Sequence, residues 1–345
     1  MSRKPRKRAK VRKRMGLMRM VGSVAATLLL IVVLAGGWVV WTYRGPGPAA
    51  PAGAATTVML ERGSGVTQIA RTLKKAGVIG SSQVFLMAVK LTGAARDLKA
   101  GEYEFKSRAS MGRILADIRA GKVVRHVVSV PEGWTSDMVV DAVLRQPVLV
   151  GPIDTPAEGV ILPDTYQVER GETRNEVIRR MELAQQKLMS ELWANRQPGL
   201  PFKTPEEAVT LASIVEKETA LPAERPRIAA VYVNRLRQGV RLESDPTTIY
   251  GISKGRPLGR GLTMSELVTV TPYNTYRIDG LPPGPIANPG RAALAAVLDP
   301  PKTAELFFVA NGQGGHVFAS TYEEHQRNVT RWRAIERAQA AEAGK

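Results

Sequence analysis

The 345-residue chain contains no cysteine and only three histidines. Without cysteine there can be no disulfide bond, thiolate catalysis or cysteine-ligated metal site, although both a reducing and an oxidising compartment remain compatible. The histidines, His126, His316 and His325, do not form the H-E-x-x-H pattern of a zinc protease. The sequence therefore predicts neither a metal site nor a cofactor.

Three other catalytic motifs are not formed in their required context either. The glycine-rich segment at 312–315 lacks the lysine and the following helix of a phosphate-binding P-loop, and no G-x-G-x-x-G opens a strand-to-helix unit. The one G-x-S-x-G string, at 251–255, does not follow a predicted strand as a serine-nucleophile elbow requires. These observations argue against nucleotide-binding and serine-hydrolase functions.

Basic residues outnumber acidic ones, and the net charge is +18. Ten Lys or Arg residues fall between Arg3 and Arg19, so much of the excess is confined to a tail at 1–19. Like charges repel and the tail has almost nothing apolar to bury, so we predict that it is disordered. It has no interleaved aromatic residues, which makes anionic membrane lipid a better expected partner than nucleic acid.

A transmembrane helix is predicted at 20–43, because residues 20–41 carry no charge and suffice to span a bilayer core of ~30 Å. A signal peptide is the alternative, but its apolar region usually covers only ~7–15 residues. Since basic flanks stay inside, the tail is expected in the cytoplasm, with Trp38, Trp41 and Tyr43 at the far interface. A linker at 44–55, rich in Pro, Gly and Ala, would lead to the exported remainder.

Beyond the linker, short strands alternate with helices, which predicts an α+β fold. In the region 56–150 the patterns predict strands at 57–60 and 100–105 and helices at 66–75, 82–91 and 111–119. The order strand, glycine, helix recurs at 127–140, so two copies of a small unit are expected. A stretch with three prolines at 146–159 marks the boundary to a second domain at 160–340, with helices and long loops.

One helix of the second domain has a well-marked start. Thr204 and Glu207 form a T-x-x-E capping box, and Pro205 suits the first helical position. At 100° per residue Glu218 falls in an apolar arc, whereas Glu216 lies across the helix near Ser213. The arc contains Leu211, Ile214, Val215 and Leu221.

A carboxyl group on an apolar face loses solvation, which raises its pKa as a general acid requires. Glu218 is therefore a candidate acid, and the alternative is a buried ion-pair partner. Later loops supply Tyr, Asn and acidic residues, which suit sugars because hydroxyls need donors and acceptors and ring faces lie on aromatic groups. The expected substrate-binding residues are Asp245, Tyr250, Asn274, Tyr276, Asn311 and His316. Asp245, before a proline, can equally be a turn residue, and His316 a structural one.

Five motifs in this order resemble a known family. They are LASIVEKET at 211–219, LESDPT at 242–247, YG at 250–251, TPYNTY at 271–276 and GLPPGPI at 280–286. The pattern is similar to that of the endolytic murein transglycosylases of bacteria, the MltG or YceG-like proteins. The predicted anchor and a LysM-like region at 56–150 also match the layout of that family.

The resemblance implies a single-pass enzyme of the inner membrane with a periplasmic catalytic domain that cleaves nascent peptidoglycan strands internally and ends their elongation. Its catalytic acid corresponds to Glu218. Glu216 and Ser213 are expected to support Glu218 without contacting the substrate. The family often has Gln where Glu243 stands, so the role of Glu243 is open. Peptidoglycan synthases are implied as further partners. A hydrolase using two carboxylates, with Asp245 or Glu243 as the second, and a non-catalytic wall-binding scaffold are the alternatives.

Overall fold

The computed structural model describes residues 6–51 and 53–343 and has an α+β fold. By its contacts the chain divides into two units, with the division between Arg125 and His126. The elements of unit 1 are α1 (Arg6–Arg44), β1 (Ala55–Leu60), α2 (Val66–Lys75), α3 (Ser82–Thr92), a 3-10 turn (Ala94–Arg96), β2 (Gly101–Lys106) and α4 (Met111–Ala120).

The predicted apolar helix is confirmed and extends further than expected. Its part Gly22–Arg44 is the one helix among the described residues that is long and apolar enough to cross a membrane. Disorder was predicted for 1–19, but α1 begins at Arg6, so that prediction is wrong for 6–19, while 1–5 lie outside the described residues. Lys, Arg and Met are good helix formers, and a helix nucleated in the apolar stretch propagates into them at little cost.

In unit 1 all five predicted strands and helices of the 56–120 segment are present. The strands β1 and β2 pair antiparallel from Ala55 opposite Lys106 to Leu60 opposite Gly101. Ser81 and Ser110 cap the starts of α3 and α4 by accepting hydrogen bonds from backbone N–H groups. The core is formed by apolar side chains of both strands and of α2, α3 and α4, including Leu60, Leu73, Phe85, Tyr103 and Ile114.

The segment expected to be a free linker is bound to unit 1. The Gly47 N–H donates to the Arg108 carbonyl at 3.2 Å, and the Arg108 N–H donates to the Pro48 carbonyl at 3.0 Å. The Ser107 N–H donates to the Ala54 carbonyl at 2.7 Å. Position 47 requires glycine, because an added Cβ would lie 2.2 Å from the Ala109 carbonyl oxygen. The helix α1 is therefore joined to its unit without a flexible spacer.

Unit 2 contains the remaining helices and two small antiparallel sheets. Its elements are β3 (His126–Ser129), α5 (Ser136–Leu144), β4 (Thr165–Val168), α6 (Arg174–Ala194), α7 (Pro205–Glu218), α8 (Arg225–Gln238), α9 (Asp245–Ser253), α10 (Met264–Val268), α11 (Arg291–Leu298), β5 (Phe307–Ala310), β6 (His316–Ala319) and α12 (Tyr322–Ala343). β3 pairs with β4, and β5 pairs with β6.

The division between the units differs from the predicted boundary at 146–159. Residues 126–150 belong to unit 2, because β3 pairs with β4 from His126 opposite Val168 to Ser129 opposite Thr165. The predicted order of strand, glycine and helix is present there as β3, Gly133 and α5. The paired residues Ser129 and Thr165 are 36 positions apart in the chain. Local periodicity carries no information about which distant strand a segment pairs with.

The main core of unit 2 surrounds α7. Helices α8 and α11 pack against it, and their buried side chains include Leu211, Ile214, Ile228, Val231 and Leu294. The capping box predicted at the start of α7 is present: Thr204 accepts from the Glu207 N–H at 3.2 Å, and the Glu207 carboxylate accepts from the Thr204 N–H at 3.3 Å. The start of the helix is thereby fixed, and with it the position of its last residue, Glu218.

Candidate active site

Helix α7 is buried on nearly all sides, which corrects part of the phase argument. Every residue from Ala208 to Glu216 is buried, and only Lys217, which is exposed, and Glu218, which is half-buried, reach the surface at the end of the helix. Glu216 was placed opposite the apolar arc, yet its side chain is only 3% exposed. Leu221 was placed inside the arc, but the helix ends at Glu218 and Leu221 lies beyond it, 41% exposed. Glu216 is therefore removed from water and Glu218 is half-buried, and the partners of the two carboxyl groups distinguish them further.

The Glu218 carboxyl group is held by two hydroxyl groups from neighbouring helices. Tyr232 Oη, from α8, donates to Glu218 Oε1 at 2.5 Å. Ser244 Oγ, from the residue before α9, donates to the same oxygen at 2.5 Å. Among the described residues no hydrogen bond reaches Oε2 of Glu218. One oxygen is thus fixed by two donors, and the other is free to carry a proton.

The environment of Glu218 favours its neutral form. Burial raises the pKa of the Glu218 carboxyl group above its ordinary value, and the negative charge of Asp245 acts in the same direction. Hydrogen bonds from Ser244 and Tyr232, and the charge of a protonated His316, act against this rise without cancelling it. Burial and the Glu218 charge also raise the pKa of Tyr232, so its phenol stays a donor. The predicted rise in the pKa of Glu218 is confirmed in direction.

Asp245 and Tyr276, both predicted substrate-binding residues, lie beside this carboxyl group and contact each other. Tyr276 Oη donates to Asp245 Oδ1 at 2.8 Å. Burial and the nearby charges of Asp245 and Glu218 raise the pKa of Tyr276. Asp245 is exposed at the first position of α9, where a negative charge is favoured by the helix dipole. The pair presents a carboxylate and an aromatic ring next to Glu218.

His316 is brought to the site by Glu224. The His316 backbone N–H donates to Glu224 Oε1, and its ring Nδ1 lies 2.8 Å from Glu224 Oε2. Burial alone would raise the pKa of Glu224, but the hydrogen bonds and charge of His316 lower it. Thr219, which follows Glu218, donates to the same carboxylate at 3.2 Å. The network connects the end of α7 to the start of β6.

The aromatic ring of Phe308 lies between the two sides of the site. It contacts Tyr232 edge-on with ring centroids 5.8 Å apart, and His316 edge-on at 5.3 Å. Asn311 stabilises the adjoining turn, because its Oδ1 accepts from the N–H groups of Gln313 and Gly315. Asn311 therefore shapes the loop that carries His316, and its side-chain oxygen is already occupied.

Glu216 and Ser213 have structural partners. Glu216 Oε1 accepts from Arg225 Nη2 at 2.7 Å, and Oε2 accepts from the Gly290 N–H at 2.9 Å. Burial raises the pKa of Glu216, partly offset by these two contacts. Ser213 Oγ accepts from the Ile286 N–H at 3.0 Å and thereby attaches the proline-rich loop to α7.

Tyr250 and Asn274 are not among the groups around Glu218. Tyr250 is buried, and its Oη donates to Glu158 Oε2 at 3.3 Å. Asn274 is fully buried; its Nδ2 donates to the carbonyls of Glu266, Leu267 and Thr269. Its hydrogen bonds are committed to holding α10 and the following loop, so the structure gives it a structural position and no face toward a ligand.

The proline-rich loop at 281–285 lines a pocket of about 530 Å³. The other walls include the first turns of α7, at Glu206, Glu207 and Thr210. Glu218 is at the other end of the same helix, roughly 18 Å away at 1.5 Å per residue. The pocket and the acid are therefore separate features. Among the described residues no group of three or more His, Cys, Asp or Glu side chains is arranged to hold a metal ion.

Tyr232, Ser244 and Glu224 were not selected from the sequence. Tyr232 is buried, and a buried tyrosine hydroxyl usually has a hydrogen-bond partner, which is the signal that could have suggested a polar site. Ser244 lies inside the LESDPT motif next to Asp245. Its backbone is anchored by Thr275, whose Oγ1 accepts from the Ser244 N–H at 2.9 Å. Glu224 carried no local signal.

The model of the YceG-like family matches residues 58–331, which is most of the chain. The chain belongs to the YceG-like family. A protein of Streptococcus pneumoniae named endolytic murein transglycosylase is 29% identical to it over 323 residues, an alignment that covers 79% of this chain and 57% of the relative. The chain thus spans a little over half the length of that relative.

This YceG-like protein has a second relative of the same name in Bacillus subtilis, 28% identical over 302 residues, covering 78% of this chain and 82% of that protein. A crystal structure of a YceG-like protein from Listeria monocytogenes matches with a TM-score of 0.51 and 28% identity, over 79% of this chain and 98% of that one. The family predicted from the five motifs is confirmed.

Proposed function

We propose that this YceG-like protein is a membrane-anchored lytic transglycosylase that cuts peptidoglycan glycan strands internally, between N-acetylmuramic acid and N-acetylglucosamine. The observation that carries the proposal is the Glu218 carboxyl group, whose pKa is raised by burial and whose Oε1 accepts hydrogen bonds from Tyr232 and Ser244. The names of the relatives from S. pneumoniae and B. subtilis support the same activity.

The proton chemistry follows from a single acid with one free oxygen. Glu218 donates its proton to the glycosidic oxygen as the bond to the muramyl C1 breaks. The resulting carboxylate accepts the proton of the muramyl C6 hydroxyl while the C6 oxygen bonds to C1. The product is a 1,6-anhydro ring, no water is consumed, and Glu218 regains its proton. Such strand ends would no longer be extended, which would terminate elongation.

The residues beside Glu218 have proposed roles in this step. Tyr232 and Ser244 position the carboxyl group, and their donated hydrogen bonds stabilise its charged form after proton transfer. Asp245 and Tyr276 bind the sugar, and Asp245 favours positive charge developing at C1. His316, held by Glu224, contacts substrate from the other side. For Asn311 and Glu216 we propose supporting roles only, and for Tyr250 and Asn274 the roles are structural.

A two-carboxylate hydrolase is the second candidate, favoured by the charge of Asp245 near Glu218. The two mechanisms differ in their products. Mass spectrometry of muropeptides released from purified sacculi distinguishes them, because anhydro ends are lighter by one water than hydrolysed reducing ends. Anhydro ends support the lyase mechanism. Reducing ends that carry oxygen from isotopically labelled water would instead support the hydrolase mechanism.

Glu218→Gln tests the catalytic assignment in the same assay. Loss of a general acid lowers the rate by about 10²–10⁴-fold. The Gln side chain keeps the volume and one acceptor oxygen for Tyr232 and Ser244, so the fold is expected to persist. Unchanged digestion by the folded variant would remove Glu218 from the mechanism. If the parent protein binds sacculi but releases nothing, the non-catalytic scaffold is the better description.

The location is part of the proposal. The Gly22–Arg44 part of α1 would span the inner membrane once, and the positive-inside rule would keep the basic tail in the cytoplasm and place unit 2 in the periplasm as the catalytic domain. The strand, helix, helix, strand order of β1, α2, α3 and β2 supports a LysM-like, glycan-binding role for unit 1. Peptidoglycan synthases remain proposed partners.

A further inference from the structure

Helix α3 exposes two large apolar side chains on one face. Met87 is 49% exposed and Leu91 is 79% exposed, and a spacing of four residues places them next to each other on a helix. Lys90 is the one charged residue of α3. Single exposed apolar residues are ordinary, so the surroundings of this pair, called here the α3 patch, decide its meaning.

The α3 patch borders a groove of about 360 Å³ between α3 and the last turns of α1. Its lining is apolar apart from Thr92, Arg44 and the Tyr43 hydroxyl. On the α1 side the groove is lined by Val39, Val40, Tyr43 and Arg44, and on the α3 side by Val84, Met87, Ala88, Leu91 and Thr92.

The position of this groove relative to α1 is fixed by packing. Val39 and Tyr43 pack against the buried core of unit 1, and an added Cβ at Gly112 would lie 3.2 Å from the Tyr43 ring. The following segment is hydrogen-bonded to the same unit through Gly47 and Pro48. The end of α1 and α3 therefore form one rigid body.

We propose that the α3 patch and its groove bind acyl chains of the bilayer, so that unit 1 rests partly immersed in the outer surface of the membrane. This rests on the proposed membrane anchoring by α1. At 1.5 Å per residue, Val39 lies about 7 Å from Arg44 along the axis of α1, on the side of the membrane centre. The groove therefore reaches a depth in the bilayer that is typical of helices lying in the membrane interface.

Two further features fit lipid as the occupant. Trp38 and Trp41 are exposed at the same level of α1, where aromatic side chains mark the boundary between acyl chains and headgroups. Arg44 lines the groove at the end of the span, where its cation can reach headgroup phosphates while its stem stays in apolar surroundings. A second copy of the chain or another protein would have to enter the bilayer to cover the same patch.

The experiment uses the cysteine-free full chain in nanodiscs of zwitterionic and anionic phospholipid. An environment-sensitive fluorophore is attached to Leu91→Cys, to Gln68→Cys on the exposed side of α2, or to Leu30→Cys inside the span. Iodide in the water and nitroxide-labelled lipids are the two quenchers. Leu91 and Gln68 are exposed side chains, so neither change disturbs the core.

We expect lipid nitroxide to quench the label at position 91 severalfold more than the label at position 68, and iodide to quench it less. The label at position 30 should behave like the label at position 91. Iodide quenching at 91 equal to that at 68, while 30 remains in lipid, overturns the inference and leaves the anchor intact. Protection at 91 from both quenchers means that protein covers the patch, which also overturns it. A label at 30 that is quenched by iodide overturns the anchor and the inference together.

Discussion

Tyr232 donates a 2.5 Å hydrogen bond to the carboxyl group of Glu218, the last residue of the preceding helix. Ser244 donates to the same oxygen, so both donors fall on Oε1. A carboxylic acid in this arrangement carries its proton on Oε2, directed away from the two hydroxyl groups that hold it. The helix α7 thus delivers the acid, and α8 and the start of α9 orient it.

The raised pKa of Glu218 predicts a pH dependence of stability. Because the folded state binds the proton more tightly than the unfolded chain, the stabilisation is complete below the ordinary pKa of 4.5 and is lost as pH rises through the folded-state value. The Gln side chain does not titrate, so the Glu218→Gln variant does not lose stability from this source as pH rises. We expect equal Tm values for the variant and the parent near pH 4 and a higher Tm for the variant at pH 8.

Each kcal/mol of this difference corresponds to about 2–4 °C in Tm for a unit of this size. Differential scanning calorimetry across that pH range measures it, and the parent-minus-variant difference cancels the contributions of other carboxyl groups. A constant difference in Tm from pH 4 to pH 8 would contradict the shift in pKa.

The hydroxyl groups of Tyr232 and Ser244 influence the pKa of Glu218. Because hydrogen bonds from Tyr232 and Ser244 lower the pKa of Glu218, Tyr232→Phe and Ser244→Ala each raise it further. Activity that requires the protonated acid should then persist to higher pH, and the alkaline limb of kcat/KM should move to higher pH in both variants. Tyr166→Phe is the matched control, since its hydroxyl donates to the Leu162 carbonyl outside the site. If all three profiles coincide, the two donors have no such role.

Glu216 and Glu218 should respond oppositely to the same change. Glu216→Gln removes the charge that pairs with Arg225, whose side chain is 9% exposed, and leaves only the more exposed Glu132 beside it. Removing one partner of a buried ion pair costs up to about 3 kcal/mol in the free energy of unfolding, and Glu132, 3.0 Å from Arg225, offsets part of that cost. Urea denaturation at pH 7 should show this loss for Glu216→Gln and none for Glu218→Gln. Equal stabilities for the two variants would show that their different partners are unimportant.

The connection between Glu224 and His316 can be disturbed without changing either residue. An alanine Cβ at position 315 would lie 2.7 Å from Glu224 Oε1, so Gly315→Ala should displace that carboxylate and loosen the loop at 311–316. Gly261→Ala is the control, because its Cβ meets nothing within 4 Å. Hydrogen exchange at 311–316 should increase only in Gly315→Ala, with kcat reduced by about tenfold through misplacement of His316. Unchanged exchange and kcat would place the loop outside the reaction.

Local chemistry was sufficient for several features. The start of α7 follows from Thr204, Pro205 and Glu207 alone, because capping involves atoms within one turn. The apolar length of α1 predicted a span, and the strands and helices of unit 1 followed from periodicity. The phase of Glu218 relative to Leu211 and Ile214 predicted its half-buried position, since all three residues lie within about two turns of α7.

Other predictions failed where partners come from far along the chain. The periodicity of α7 could not separate Glu216 from Glu218, because α8, α11 and surrounding loops bury the helix on all sides and the partners Arg225 and Gly290 belong to those elements. Asn274 lies in a quoted motif, yet it is fully buried and its hydrogen bonds go to α10, to the loop that follows α10 and to Thr248 of α9. The linker at 44–55 forms hydrogen bonds with the turn at 107–108, and no local sequence pattern predicts this contact.

For this protein the sequence by itself determined the family, the apolar span and the order of most elements, because each depends on residues close together in the chain. It also predicted Glu218 as the catalytic acid. Only the tertiary structure decided that Tyr232 and Ser244 hold Oε1, that Glu224 places His316 and that Glu216 pairs with Arg225. Those contacts join separate helices and loops, and their geometry arises only when the core around α7 packs. The sequence of α7 alone predicted the carboxyl group, but residues of α7, α8 and the start of α9 together fix its position.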